Sequence, residues 1–194
     1  MVFGNSAYSI LVVSAAGKFN DTLTALLPEA DWSPIRFVTS IAAAKRAMLE
    51  RNYDLVIINA PLPDDFGIKF AIDVCAGKGT VALLLVRAEV FEEISTKARC
   101  QGVFTLSKPT SSQMLIQSIK WMTAARERLR RLEQKTATME EKMEEIRLVN
   151  RAKWLLIENL KMSESDAHRY IEKQAMDRCV TRREIAENVI RTYT

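Results

Sequence analysis

The residues with usable chemistry fall in two places. Between Asn150 and Ile190 the cations Arg151, Lys153, Arg169, Lys173, Arg178, Arg182 and Arg183 gather beside His168 and Tyr170. Cations of this density neutralise phosphates, and specific recognition of RNA loops further needs stacking or hydrogen-bonding groups next to them. His168 and Tyr170 are of the type that stacks, although the spacing of Tyr170 also places it on an apolar helix stripe and makes it a core residue. In the front half, Ser14-Ala15-Ala16, Asn59, Arg87 and Lys108-Pro109 each follow or end a short apolar run. In a parallel sheet such residues meet at the carboxyl ends of the strands, where ligands bind. No nucleophile–base pair, metal-ligand cluster or glycine-rich phosphate loop is present, so neither an enzyme nor a bound metal or cofactor is expected.

Composition bounds what must position these residues. The 194 residues are 48% apolar, enough for a packed core in one large or two smaller domains. The net charge of +4 permits a polyanionic partner without requiring one. Cys75, Cys100 and Cys179 are odd in number, far apart and in no CxxC arrangement, and a single His removes most zinc sites. A reduced, cytoplasmic setting is expected. Apolar runs such as Val81 to Val86 are far below membrane-spanning length, and Met1 to Tyr8 lacks the pattern of a signal peptide.

Residues 9–110 alternate apolar runs with amphipathic stretches. Ser9–Val13, a weaker Ile35–Val38, Asp54–Asn59, Val81–Val86 and Gly102–Leu106 read as strands, with helices over Asp21–Leu27 and Ala42–Glu50. Near-continuous β-branched and aliphatic strands separated by helices imply a parallel sheet covered on both faces. The expected fold class is α/β, a flavodoxin-like doubly wound sheet of five strands. From Ser112 one helical pattern runs to about Asn150 without Pro or Gly. With Leu115 as position a, a heptad places Met122, Leu129, Thr136, Met143 and Asn150 at a, and Ala125, Leu132, Met139 and Ile146 at d. This is a coiled-coil seam, with basic Arg126–Arg131 and acidic Glu140–Glu145 blocks outside it. A stripe this long and narrow favours a parallel homodimer over packing against the chain's own α/β domain. The Arg126–Arg131 cluster reads as a solvated face, since no aromatic is interleaved for stacking.

The last segment divides into three helical blocks. Ala152–Leu160 places Trp154, Leu155 and Ile157 near one face. Ser163 with Asp166 three residues on has N-cap spacing, and Ala167, Tyr170, Ile171, Gln174 and Ala175 follow as a stripe. Thr181 with Glu184 opens a third helix bearing Ile185, Ala186, Val189 and Ile190. None is long enough to stand alone, so they must pack together. Ala152-Lys153, Ser163-Glu164-x-x-Ala167, Ala175-Met176-Asp177 and Glu184-Ile185-Ala186 resemble the ANTAR domain, a three-helix RNA-binding module of bacterial antitermination regulators. The resemblance implies RNA contacts at Lys153, Arg178, Thr181 and Arg182, with Ala152, Ala167, Ala175, Met176, Ile185 and Ala186 as packing.

The front of the chain resembles a response-regulator receiver (CheY-like). Receivers carry an acidic pair after the first strand, a phosphorylated Asp ending the third, a hydroxyl ending the fourth and a Lys-Pro after the fifth. Lys108-Pro109 matches. Ser14-Ala15-Ala16 supplies no carboxylate, Asn59 stands at the acceptor position and Leu85-Val86-Arg87 offers no hydroxyl. An amide cannot form an acyl phosphate, which makes this a degenerate (pseudo-)receiver. Lys108 is then expected to hydrogen-bond Asn59 or backbone carbonyls. Pro61-Leu62-Pro63-Asp64-Asp65 reads as a solvated turn, although a displaced phosphoacceptor at Asp64 or Asp65 is the open alternative.

The expected organisation is a receiver-like domain over 1–120, a coiled-coil dimerisation helix over 121–150 and an ANTAR RNA-binding domain over 151–194. The resemblances together imply a dimeric transcription antiterminator of response-regulator type that binds hairpins of a nascent leader transcript. A regulatory partner protein, a ligand or dimer formation would then take the place of phosphorylation. A DNA-binding regulator and a purely protein-interacting module are the alternatives.

Overall fold

The computed structural model describes residues 7–77 and 79–193 and divides into two compact units, one up to Arg131 and one from Leu132. The expectation that residues 1–8 form no signal peptide falls, but for its last two residues, outside the described segment.

In the first unit, β1 (Tyr8–Val13), β2 (Trp32–Val38), β3 (Leu55–Asn59), β4 (Val81–Arg87) and β5 (Phe104–Lys108) form one sheet in the order β2-β1-β3-β4-β5. All pairings are parallel, which is the flavodoxin-like order expected. The helices α1 (Gly17–Leu26), α2 (Ile41–Glu50), α3 (Ile68–Ala76), α4 (Ala88–Arg99) and the start of α5 (Ser112–Leu160) connect and cover it. The three central strands are buried on both faces, and alternate residues serve alternate faces. Leu11, Val13, Val56, Ile58, Leu84 and Val86 pack with Ile41, Phe70 and Ile94 on one side. Ile10, Val12, Leu55, Ile57, Leu83 and Leu85 pack with Leu23, Leu115, Ile119 and Met122 on the other. The edge strand β2 was weak in the sequence because its residues are only half-buried or exposed.

The turn after β3 is more constrained than a solvated loop. Both carboxylate oxygens of Asp64 accept from the first backbone N–H groups of α2, those of Ile41 and Ala42, at 3.0 Å each. These bonds hold the Asp64 carboxyl below the usual carboxylate range. Asp65 accepts from the backbone N–H of Gly67 at 2.5 Å. Gly67 has φ of 78°, and a Cβ there would meet Cγ2 of Ile58 at 2.8 Å, so glycine is required on both counts.

The heptad needs correction at its start. Met122 is fully buried in the core between β1, β3, β4 and α5, and Ala125 packs against the same cluster. Both therefore complete the α/β unit instead of opening a seam. Asp54, at the entry to β3, fastens the same helix: it accepts from the backbone N–H of Ser9 at 3.0 Å, the Ser9 hydroxyl at 2.8 Å and Nε of Arg126 at 3.0 Å. Arg126 is thus partly buried structure, where the sequence suggested a solvated face.

In the second unit, the remainder of α5, α6 (Glu164–Arg178) and α7 (Arg182–Tyr193) close over one small core. Its buried members are Ala152, Leu156, Ala167, Ile171, Ala175, Ile185, Ala186 and Val189. The first of the three blocks is no separate helix, since α5 continues unbroken through Leu160. Ser163 caps α6, its hydroxyl accepting from the Asp166 N–H at 3.1 Å and donating to the Asp166 carboxylate at 2.7 Å. The Thr181 hydroxyl accepts from the Glu184 N–H at 3.2 Å at the start of α7. Between them, α6 ends at Cys179 in the left-handed conformation with φ of 52°.

Candidate functional site

The carboxyl ends of the strands form a cleft of about 590 Å³ lined by Ala15, Ala16, Asn59, Pro61, Arg87, Glu89, Lys108 and Pro109. Parallel pairing of β4 and β5 sets Arg87 opposite Lys108. The Lys108 ammonium donates to Oδ1 of Asn59 at 2.7 Å and to the carbonyl of Ala60. The amide nitrogen of Asn59 donates to the Ser14 hydroxyl at 3.1 Å, and Ser14 also accepts from the Ala16 N–H. An amide that accepts from a cation on one side and donates to a hydroxyl on the other satisfies both its ends. A carboxylate at position 59 would lose the N–H given to Ser14, and the serine hydroxyl would have to turn and donate instead. Burial pushes the Lys108 ammonium below its ordinary range, and the positive charge of Arg87 pushes the same way. Among the described residues no group of three or more His, Cys, Asp or Glu is arranged to hold a metal ion.

The second site lies in the three-helix unit. Lys153 and Arg182, distant in sequence, line one cleft of about 380 Å³ with Lys142, Glu145, Ile146, Val149, Asn150 and His168. The packing of Ala152 and Leu156 against α6 and α7 brings them together. Each cation has a carboxylate partner: Lys153 with Glu164 at 3.1 Å and Arg182 with Glu145 at 3.2 Å. The open Arg182–Glu145 pair holds by about 0–1 kcal/mol, so a phosphate can displace its carboxylate at little cost, whereas the Lys153 side chain is only 16% exposed beneath the open Glu164. Arg178 is exposed in the last turn of α6, while Thr181 uses its hydroxyl to cap α7. The adjacent Arg183 pairs with Glu187 at 2.9 Å.

Two residues read as packing, Met176 and Tyr170, turn outward, and Trp154 does the same. Met176 is 78% exposed, because the buried stripe of α6 is Ala167, Ile171 and Ala175 and Met176 follows its last member by a single residue. Tyr170 is 37% exposed, on the rim of that stripe and not in the core. Trp154 is 70% exposed. Ala152 and Leu156, four apart, define the buried face of α5, and a residue two positions from each stands opposite it. That spacing was available in the sequence, where Trp154 reads as sharing one face with Leu155 and Ile157. Trp154 instead falls one turn after Asn150 and extends the outward stripe of Leu132, Met139, Met143 and Ile146, whose exposures run from 51% to 65%.

Comparison with known proteins agrees with both units. The ANTAR domain family profile matches residues 137–190. The transcriptional regulatory protein PdtaR of Mycobacterium tuberculosis strain H37Rv is 34% identical over 140 residues, which cover 72% of this chain and 68% of PdtaR. Among solved structures, a signal receiver domain of an HD domain-containing protein from Pseudomonas fluorescens Pf-5 superposes with a TM-score of 0.59 at 22% identity, covering 68% of this chain and 97% of that one. A CheY-like receiver domain from Methylobacillus flagellatus gives 0.50 at 25% identity, covering 60% and 99%. With a receiver fold in front and an ANTAR segment behind, the chain belongs to the ANTAR family of response-regulator-like transcriptional regulators.

Proposed function

We propose that this regulator is an RNA-binding transcription antiterminator, acting as a dimer on hairpins of a nascent leader transcript. The observation that carries the reading is the cleft in the three-helix unit, which brings Lys153 and Arg182 together, with Arg178 exposed at the end of α6, four residues before Arg182. Phosphates neutralised by these side chains, with the exposed His168 lining the same cleft for stacking, suit a splayed hairpin loop. A hairpin held in this way competes with a terminator stem and lets polymerase read through. Gel-shift titration of the purified chain against hairpin RNA and against duplex DNA of equal length tests it. Preference for the hairpin is expected; equal or stronger binding to duplex DNA makes it a DNA-binding regulator, and no binding to either makes the bundle a protein-docking module.

The dimer reading rests on the outward stripe of Leu132, Met139, Met143, Ile146 and Trp154, which stay more than half exposed among the described residues. In a parallel pair, position g of one helix faces position e of the next heptad on the other. That sets Arg128 against Glu133 and Lys135 against Glu140, with opposite charges, while Lys142 meets Arg147 less favourably. The stretch 121–150 is accordingly the dimerisation helix in this reading, with its effective seam beginning after Ala125. Receiver domains do pair in this structural class: that of NtrC4, 19% identical, is described as a dimer. Because Asn59 is an amide held at both ends and Asp64 is spent on α2, control of this protein runs through dimer formation, a partner protein or a ligand, without transfer of a phosphoryl group to the usual acceptor position.

A further inference from the structure

The cleft above the sheet carries more positive charge than its architecture explains. Arg87 and Lys108 are register partners on adjacent parallel strands, where strand spacing of about 4.8 Å brings like charges close at a cost to the sheet. Among the described residues the Arg87 guanidinium has no hydrogen-bond or ion-pair partner, and it is exposed to the cleft. Lys108 spends two donors on Asn59 and Ala60 and keeps a third. Burial first, and then the positive charge of Arg87, holds its pKa below the ordinary range. Opposite them, α1 begins at Gly17 behind an N-cap, Ala16, that contributes no side-chain acceptor. Ala15 and Ala16, which line the cleft, lead directly into α1, whose first N–H groups have no acceptor within the helix. Glu89 is the single carboxylate among the lining residues, and it forms no ion pair with Arg87.

We propose that this cleft binds a small phosphate-bearing anion non-covalently, held between Arg87, Lys108 and the first turn of α1. The inference rests on the reading that Asn59 does not take a phosphoryl group, and it supplies that reading with an effector. A guanidinium, an ammonium and backbone N–H groups approaching from two sides suit a tetrahedral dianion better than a planar carboxylate. The cleft volume of about 590 Å³ leaves room for an organic group on the phosphate.

Inorganic phosphate titrated into the full chain at constant ionic strength, followed by amide and arginine side-chain NMR, tests the proposal. Saturable shifts at Gly17, Lys18 and Arg87 are expected, with chloride giving none. Arg87→Gln, at an exposed position that the fold does not need, should raise Kd at least tenfold. Glu89→Gln should lower it severalfold. Uniform, non-saturating shifts, or an unchanged Kd in Arg87→Gln, would overturn the site. Intact mass after titration with a small-molecule phosphodonor separates this outcome from failure of the underlying reading: a stable adduct means covalent transfer and overturns both, whereas an unmodified chain that still binds phosphate supports both.

Discussion

Replacing Met143 by Glu isolates the dimer from everything else in the chain. Met143 occupies position a, is 56% exposed in the single chain and lines neither cleft, so its side chain contributes little to the fold of its own unit. Burying a whole methionine side chain is favourable by about 1.5–3 kcal/mol. With roughly half of it still to be covered by a partner, each chain gains about 0.8–1.7 kcal/mol at this position on pairing. A homodimer has two such positions, so the substitution removes about 1.7–3.4 kcal/mol even before the cost of crowding two carboxylates together. At 1.4 kcal/mol per factor of ten, Kd should rise roughly 15- to 250-fold. Sedimentation equilibrium across a range of protein concentrations measures this directly, with far-UV circular dichroism on both proteins to confirm equal helix content. Kd unchanged by Met143→Glu, or a wild-type chain that stays monomeric into the high micromolar range, would refute the seam.

Other consequences follow from named contacts. Burial opposes ionisation of Asp54, but the Ser9 backbone and hydroxyl and the Arg126 guanidinium outweigh it and hold the carboxyl below its usual value. A depressed folded-state pKa stabilises above the unfolded value near 3.9 and is lost as pH falls through the folded one. Asp54→Asn should therefore cost about 2 kcal/mol at pH 7, read by urea denaturation, and the difference from wild type should shrink in acid below pH 4. In the second unit, Leu156→Ala empties the centre of a small core; a loss of about 2–5 kcal/mol is expected, seen as early melting of the bundle by hydrogen exchange at Ile171 and Ile185 while β1 and β3 stay protected. Glu145→Gln frees Arg182 and removes a charge that repels phosphate, so hairpin RNA should bind several-fold tighter in a gel shift.

How much of this was legible in the sequence differs by element. The five strands were readable because β1, β3 and β4 are buried on both faces, which leaves continuous aliphatic runs that nothing polar interrupts. The edge strand β2 was only half found, since partial exposure relaxes its composition. The degenerate cleft could be read from single residues, Asn59 and Lys108 above all, because the parallel topology fixes where strand ends meet. The charge pairing of Arg87 with Lys108 was not visible, as it depends on the register of β4 on β5. Helical periodicity found the core stripes of α6 and α7 and both caps. It failed at Met122 and Ala125, because a heptad cannot say which of two partners its stripe faces and the α/β sheet claims the first turns of α5. The spacing that put Tyr170 on the stripe and the resemblance that put Met176 in the packing both missed that each directly neighbours a buried member, Ile171 or Ala175, and so turns outward.

The central claim is that this protein recognises hairpin RNA through Lys153, Arg178 and Arg182. Fluorescence anisotropy of a labelled two-hairpin RNA, titrated with wild type and with Lys153→Ala/Arg182→Ala at several salt concentrations, addresses it most directly. Three cations per chain in a dimer neutralise six phosphates, for which log K should fall against log salt with a slope of about −4. The double variant should bind at least tenfold more weakly, with the slope reduced to about −1.5 and with helix content and dimer mass unchanged. Equal affinity and equal slope for the two proteins would contradict the account.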